Sequence, residues 1–391
     1  MNNNERYFVT LMSSHLNNIP PAPSSDIDWE EIFNLSSIHN VCAITANQIL
    51  LLDKEFQPEA QILSKFRQQL GYTLIDSDEK EKALSYLKNL LSENEIEFIL
   101  VKGAILKKLY PIKEFRTSSD IDVIVKNNDL EKLRNILNEN TDCIITNDTE
   151  KEVSFSYIEQ SIEVHSTLDT DNTYFEKIFD MSEKHGYEYK ISNEDHLLYV
   201  LCHIIKHFSA FGAGIKMFMD IDVIIRNMED IDYNKFIKKC RQINIETFAK
   251  ASLALCHSWF DTPVATEIDL NSDFKLKELF ENEIISSGNF GYSKRNAGDY
   301  YINNVINEKG KNNLSVKLRA LVTLFFPSID YLKNHYRYSA KCPLLLPIAW
   351  LSRLLSAVFK RNKQSKNTIR TILNSGAESE QYKQLLNELK V

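Results

Sequence analysis

This 391-residue sequence lacks closely spaced cysteine pairs, a surplus of positive charge, and an uninterrupted apolar run of membrane length. Each of these absences excludes a class of protein. The six cysteines are scattered without a Cys-x-x-Cys pair, which indicates reduced, partly buried thiols. Lysine and arginine number 46 against 54 acidic residues, so the net charge of −8 argues against a protein that coats nucleic acid or binds membranes through a basic surface. The first residues lack the basic and apolar regions of a signal peptide, and we therefore expect a cytoplasmic protein.

One apolar stretch, residues 343–359, is too short and too interrupted to predict a transmembrane segment. Pro347 and Arg353 interrupt it, and a basic segment that begins at Lys360 follows. These features favour a buried helix with a solvated basic end, and contact with a membrane interface is the alternative.

Hydrophobic periodicity divides the chain into three regions. Residues 1–92 carry amphipathic helical patterns, with separate helices expected near 62–70 and 76–94. Residues 93–190 alternate short β-branched runs with a helix, whereas residues 191–391 are helical again after the capping signal at 192–195. Strands are predicted at 97–101, 121–125, 143–146, 153–158 and 161–166, and helices in the later part at 104–110, 128–138, 196–211 and 216–226. The expected fold class is α+β, with a small mixed sheet flanked by helical regions.

Residues 102–125 are the most informative part of the chain. Lys102-Gly103 ends a strand, a short helix follows, and Asp120-Ile121-Asp122 opens the next strand. The triplet Asp-Ile-Asp occurs four times in the sequence, but this copy alone begins an extended β-branched run. Residues two apart on a strand point the same way, so Asp120 and Asp122 repel each other unless a cation lies between them. A divalent metal is the usual solution, and a solvated strand start is the alternative.

A third carboxylate is expected on a later strand. Glu163 stands between Ile162 and Val164, which would face the core, so that Glu163 and His165 share the opposite face. Two divalent ions about 3.5–4 Å apart need several carboxylates to neutralise them, and Glu163 would complete such a set. His165 is interpreted as a packed or hydrogen-bonded histidine.

This pattern resembles the nucleotidyltransferases of the DNA polymerase beta-like superfamily, which carry a glycine turn, a short helix, an Asp-x-Asp strand and a later strand with one more carboxylate. More narrowly, the chain is similar to a bacterial family of uncharacterised nucleotidyltransferases. The segments that carry this similarity are Leu100-Val101-Lys102-Gly103-Ala104, Arg116 four residues before Asp120, Ile162-Glu163-Val164-His165, and His203-x-x-Lys206-His207 followed by Asp220.

The resemblance implies a metal-dependent enzyme that moves NMP from an NTP to a hydroxyl of an unidentified acceptor. Asp120, Asp122 and Glu163 would be the catalytic residues and the ligands of two Mg²⁺ (or Mn²⁺) ions. The negative net charge favours a small molecule, sugar, peptide or protein as the acceptor over a long nucleic acid, although a tRNA end would need only a local basic groove. The nucleotide-binding residues that the resemblance implies are Lys102, Gly103, Arg116, Ser119, His203, Lys206 and His207.

Two other functions stay open at this point. The turn Lys102-Gly103-Ala104 has no hydroxyl where the superfamily usually has Gly-Gly or Gly-Ser, which is consistent with a catalytically silent binding module of the same fold. A toxin-like modifier of a macromolecule is the other alternative.

Several residues also have more than one interpretation. Arg116 either contacts a phosphate or pairs with Glu114 or Asp120. One helical face is expected to carry His196, His203 and His207. For His203 and His207 three roles stay open: a structural pair, the lining of a pocket or, with a further ligand, a zinc site. Asp220 either orients an imidazole or caps a buried network. The loop at 287–291, with glycines at 288 and 291, is interpreted as a plain turn rather than a phosphate loop.

Overall fold

The computed structural model describes residues 1–167, 173–210, 212–227, 231–264, 276–288 and 377–391, together with the isolated positions 322, 326, 347, 348, 350 and 351. The apolar stretch at 343–359 therefore lies outside the described residues, except for four isolated positions. The loop at 287–291 begins where a helix ends at Ser287, and its residues 289–291 also lie outside them.

Four helices precede the sheet: α1 (Asn3–Leu16), α2 (Trp29–Ile38), α3 (Cys42–Leu51) and α4 (Ala60–Glu93). Asp28 begins α2 by accepting hydrogen bonds from the amides of Glu30 and Glu31. The expectation of two helices within 62–94 is wrong, because α4 is one helix of 34 residues. Its interior contains no proline, and a single glycine costs only about 1 kcal/mol in a helix, so Gly71 does not interrupt it.

A mixed sheet of seven described strands forms the middle of the chain, which confirms the expected mixed α/β architecture. The strands follow the order β3-β4-β5-β2-β1-β7-β6, with β2 parallel to β5 and antiparallel to β1. The strands are β1 (Phe98–Leu100), β2 (Asp120–Val125), β3 (Ile144–Asp148), β4 (Glu152–Tyr157), β5 (Gln160–His165), β6 (Glu183–His185) and β7 (Glu188–Lys190). The hairpin of β6 and β7 was not predicted, because its sequence is polar and β6 is exposed along its whole length.

The two faces of this sheet differ because strand side chains alternate. One face is apolar and packs under α4 and α6 (Asn127–Glu139). The strand residues in that buried cluster include Ile121, Val123, Val125, Val153, Phe155, Ile162 and Val164. The opposite face of β2 and β5 carries Asp120, Asp122, Glu163 and His165. The carboxylates therefore stand on a surface whose reverse side is fixed by hydrophobic packing.

Helices cover the polar face of the sheet. After the short α5 (Gly103–Leu106), the helices are α7 (Asn193–Ala210), α8 (Ile215–Asn227), α9 (Tyr233–Gln242), α10 (Glu246–Phe260), α11 (Lys277–Ser287) and a C-terminal helix (Ala377–Leu389). Residues of α7, α8 and α10 share one large buried cluster with α1 and α3. The capping signal before α7 is confirmed, since the Asp195 amide donates to the Ser192 hydroxyl.

The cysteines and the membrane prediction can be compared with this fold. Five of the six cysteines fall among the described residues, and all five are buried free thiols, as expected. Within the described ranges, no helix combines the length and the apolar character that crossing a membrane requires.

Candidate active site

A cleft of about 210 Å³ lies between the polar face of the sheet and helices α7 and α8. It brings together every site residue that the sequence predicted: Lys102, Gly103, Arg116, Ser119, Asp120, Asp122, Glu163, His203, Lys206 and His207. Asp220, whose role the sequence left open, also lines the cleft. Seven further lining residues were not singled out from the sequence: Asn40, Leu106, Ser118, Val200, Ile204, Lys216 and Met217.

Strand pairing places the carboxylates side by side. In the parallel pair of β2 and β5, Asp122 is the direct partner of Glu163, and Asp120 is the partner of Ser161. Burial raises the pKa of Asp120, and the neighbouring charges of Asp122 and Glu163 raise it further. The site thus concentrates negative charge that a cation would stabilise.

Lys102 provides one such cation within the protein. Its Nζ donates to Oδ1 of Asp122 at 2.7 Å, and only 2% of the Asp122 side chain is exposed. Burial alone would raise the pKa of Asp122, but the interactions with His165 and Lys102 outweigh it and hold that pKa below its ordinary value. Asp122 is therefore a charged carboxylate at the floor of the cleft.

His165 lies among three carboxylates. Its Nε2 is 3.5 Å from Oδ1 of Asp122 and 3.6 Å from Oε2 of Glu163, and its Nδ1 is 3.6 Å from Oε2 of Glu152. Burial lowers the pKa of His165, yet these carboxylates outweigh burial and raise it to about 9. The sequence analysis interpreted His165 as a packed or hydrogen-bonded histidine on the same face as Glu163, and it did not anticipate the contacts with Asp122 and Glu152.

The donor set at this point fits a divalent metal. Among the described residues, one group of three possible ligands has its atoms within 4.8 Å of one another, and it consists of Asp122, Glu163 and His165. Nε2 of His165 is buried and has no hydrogen-bond partner in the described structure. Asp120 lines the same cleft but is not part of this group.

The turn before α5 has an unusual backbone. Lys102 has φ 49° and ψ −124°, a conformation that costs a non-glycine residue about 1–3 kcal/mol. Its carbonyl oxygen accepts the amide of Leu106 at 2.8 Å, so the strained residue also starts the helix. The turn itself has no hydroxyl, but Ser118 and Ser119 line the cleft beside it.

Gly103 lies at a point of this turn where the side chains of Arg116 and Ser118 approach the backbone closely. A Cβ atom at this position would lie 2.6 Å from Nη1 of Arg116 and 3.2 Å from Cβ of Ser118. Even alanine would therefore displace the Arg116 guanidinium.

Arg116 pairs with Asp220, and not with Glu114 or Asp120 as one interpretation of the sequence had it. Its Nη2 donates to Oδ2 of Asp220 at 2.8 Å and its Nε to Oδ1 at 3.2 Å. The Tyr110 hydroxyl also donates to Oδ1, at 2.8 Å. Asp220 thus accepts hydrogen bonds from Arg116 and Tyr110 in a buried network, which is one of the two roles that the sequence left open for it. The sequence could not supply this pairing, since the partners are 104 residues apart.

Lys216 is the main cation of the cleft that the sequence analysis missed. It is buried, and among the described residues its ammonium group makes one hydrogen bond, to the Thr117 carbonyl oxygen at 3.0 Å. Burial and then the nearby Arg116 lower its pKa to about 7, although Asp220 and Asp120 oppose the shift. A signal was present, because Lys216 lies in an apolar helix four residues before Asp220 and so on the same helical face.

Two of the three helical histidines reach the cleft. His203 and His207 line it with ring centroids 4.4 Å apart, whereas His196 is buried and does not line it. Burial and the surrounding cations hold the pKa of His203 well below its ordinary value, so His203 is neutral. Neither His203 nor His207 belongs to a three-ligand group among the described residues, which removes support for zinc.

Comparison with known proteins gives one match. A family model described as an uncharacterised nucleotidyltransferase matches residues 25–261, which is more than half of the chain and includes every residue that lines the cleft. No curated protein and no solved structure matches the chain.

Proposed function

The chain belongs to the uncharacterised nucleotidyltransferase family, and from this we propose that it catalyses a metal-dependent transfer of NMP from an NTP to a hydroxyl of an acceptor. The proposal rests on one observation, which is that acidic and basic side chains line the same cleft. The carboxylates of Asp120, Asp122 and Glu163 line the same cleft as four basic side chains, those of Lys102, Arg116, Lys206 and Lys216. Phosphoryl transfer needs both kinds of group within a few ångströms.

The carboxylates supply the ligands that a divalent metal requires. Asp122 and Glu163 are neighbours across a strand pair, and Asp120 stands two residues from Asp122 on the same face. Bound divalent ions would lower the pKa of the acceptor hydroxyl and neutralise charge on the triphosphate. The chain contributes a rigid arrangement of these ligands, since the reverse face of β2 and β5 is packed in a core.

The basic side chains would bind the triphosphate. Arg116 is held by two hydrogen bonds to Asp220 and so presents its remaining N–H groups in a fixed plane. Lys216 has ammonium protons to donate beyond its bond to Thr117. Ser118 and Ser119 offer the hydroxyls that the glycine turn lacks. An apolar wall formed by Leu106, Val200, Ile204 and Met217 would exclude water from the reacting phosphates.

The decisive experiment is transfer of radioactive label. Purified protein is incubated with each α-³²P NTP, Mg²⁺ or Mn²⁺, and separate fractions of small metabolites, protein and RNA. We expect metal-dependent labelling of one fraction, abolished in Asp122→Asn. Asp142→Asn is the matched control, because Asp142 is exposed and does not line the cleft. Equal labelling by wild type and Asp122→Asn would refute the assignment of the site.

The same preparation separates catalysis from binding alone. If NTP binds in a metal-dependent way that requires Asp122 but no fraction is labelled, the result supports a silent binding module with the same cleft. Calorimetric titration of NTP into wild type and Asp122→Asn provides this measurement.

A further inference from the structure

Three adjacent strands present a continuous row of ligating side chains, of which Glu163 and Asp122 line the cleft. His165 is the register partner of Glu152 on β4, and Glu163 is the register partner of Asp122 on β2. Glu163 and His165 are two residues apart on β5 and therefore share a face. The row runs from Glu152 through His165 to Glu163 and Asp122.

The imidazole of His165 is placed between an outer carboxylate and two inner ones. Nδ1 lies 3.6 Å from Oε2 of Glu152, and Nε2 is directed at the inner pair, 3.5 Å from Asp122 and 3.6 Å from Glu163. Nε2 is buried and lacks a hydrogen-bond partner among the described residues. The two carboxylates are too far from Nε2 for a normal hydrogen bond, and a metal bound at Nε2 would replace the proton that the ring holds between them. A histidine that ligates a metal through one nitrogen and faces a carboxylate with the other has this arrangement.

We propose that His165 is a metal ligand together with Asp122 and Glu163, that Glu152 orients its ring, and that this position selects a transition ion such as Mn²⁺ over Mg²⁺. Mg²⁺ prefers oxygen ligands and retains its waters, whereas an imidazole nitrogen favours first-row transition metals. The proposal refines the metal site of the proposed function, which assumed three carboxylates alone.

Lys102 does not exclude a metal at this position. Its Nζ contacts Oδ1 of Asp122, and a carboxylate has a second oxygen with lone pairs of its own. The neighbouring Glu163 lines the cleft and its side chain is about one-third exposed, so an ion can reach it from solvent.

Pulsed electron paramagnetic resonance on Mn²⁺-loaded full-length protein tests nitrogen ligation directly. We expect ¹⁴N modulation from a bound imidazole in the wild type, replaced by the ¹⁵N pattern when the protein is grown with ¹⁵N-histidine. His165→Gln should lose the modulation and bind Mn²⁺ about 100-fold more weakly, and Glu152→Gln about tenfold more weakly. Mg²⁺ affinity, measured by competition, should change by no more than about threefold in His165→Gln, since Mg²⁺ makes little use of nitrogen.

His185→Gln is the matched control, because His185 lies in the same sheet on the exposed strand β6 and away from the cleft. It should leave both the modulation and the affinity unchanged. The isotope experiment needs no variant and decides whether a histidine ligates the ion. If His165→Gln fails to fold, retention of the modulation in His203→Gln and in His207→Gln assigns the ligand to His165, and its loss in either variant overturns the assignment.

The possible results separate this inference from the proposed function. Mn²⁺ that binds in an Asp122-dependent way without nitrogen modulation overturns His165 as a ligand and leaves the carboxylate site standing. Equal loss of Mn²⁺ and Mg²⁺ affinity in His165→Gln overturns the selectivity. Failure of the wild type to bind either ion overturns the metal site and the proposed reaction with it.

Discussion

Substitution of glycine by alanine should change the stability of this protein in opposite directions at two positions. Gly103 and Gly71 both lie in helices, and propensity alone says that alanine should stabilise either position by about 1 kcal/mol. A Cβ at Gly71 meets nothing within 4 Å, so that gain should be realised there. At Gly103 a Cβ would lie 2.6 Å from Nη1 of Arg116, and the guanidinium cannot retreat without loosening its two bonds to Asp220.

The magnitude at Gly103 follows from these contacts. Overpacking a tight site costs about 1–3 kcal/mol, which outweighs the propensity gain. We expect Gly103→Ala to lower the free energy of unfolding by up to about 2 kcal/mol after that gain is subtracted, and Gly71→Ala to raise it by up to about 1 kcal/mol. Because Arg116 lines the cleft, NTP affinity should fall in Gly103→Ala and stay constant in Gly71→Ala.

Urea denaturation followed by circular dichroism measures the stabilities, and calorimetry measures the NTP affinities. Stabilisation of the protein by Gly103→Ala would refute the close packing of Arg116 on the turn. A loss of stability with unchanged NTP affinity would show that Arg116 does not act in the cleft.

Further predictions concern the charged groups around the cleft. Since burial holds the pKa of Lys216 at about 7, below its unfolded value of 10.5, the unfolded chain binds more protons between these pH values. The stability of the wild type relative to Lys216→Met should therefore rise as pH increases from 7 to 10.5. Urea titrations of both proteins across that range check this, and a stability difference that does not change with pH would contradict burial of the charge. Asp220→Asn removes the charged acceptor of Arg116 and Tyr110, and it should cost about 1.5–3 kcal/mol of stability and weaken NTP binding. An unchanged urea midpoint would show that the network contributes nothing. Asp222 belongs to another Asp-Ile-Asp triplet and is bonded to Arg226 and Thr262 away from the cleft. Asp222→Asn should therefore lower stability by a similar amount but leave Mn²⁺ affinity unchanged, whereas Asp122→Asn should lower Mn²⁺ affinity. Equal Mn²⁺ loss in both variants would remove the distinction between the triplets.

Local pattern was sufficient for much of the site. The two-residue period of a strand placed Asp120 with Asp122 and Glu163 with His165, because alternation is a property of the extended backbone itself. Helical spacing likewise placed His203 and His207 on one face. Asp120, Asp122, Glu163, His203 and His207 all line the cleft, as do the five site residues that the family resemblance supplied.

Other features depend on contacts between distant parts of the chain. The partner of Arg116 is 104 residues away, the carboxylate opposite His165 is Glu152 of the neighbouring strand, and the pKa of Lys216 depends on the residues that bury it. The hairpin of β6 and β7 is short and largely polar, and it joins the sheet where β7 pairs with β1. Short-range periodicity is encoded residue by residue, whereas register, burial and charge pairing arise when separate elements pack together. The sequence therefore determined which side chains share a face, and the folded chain determined which charges meet across the cleft.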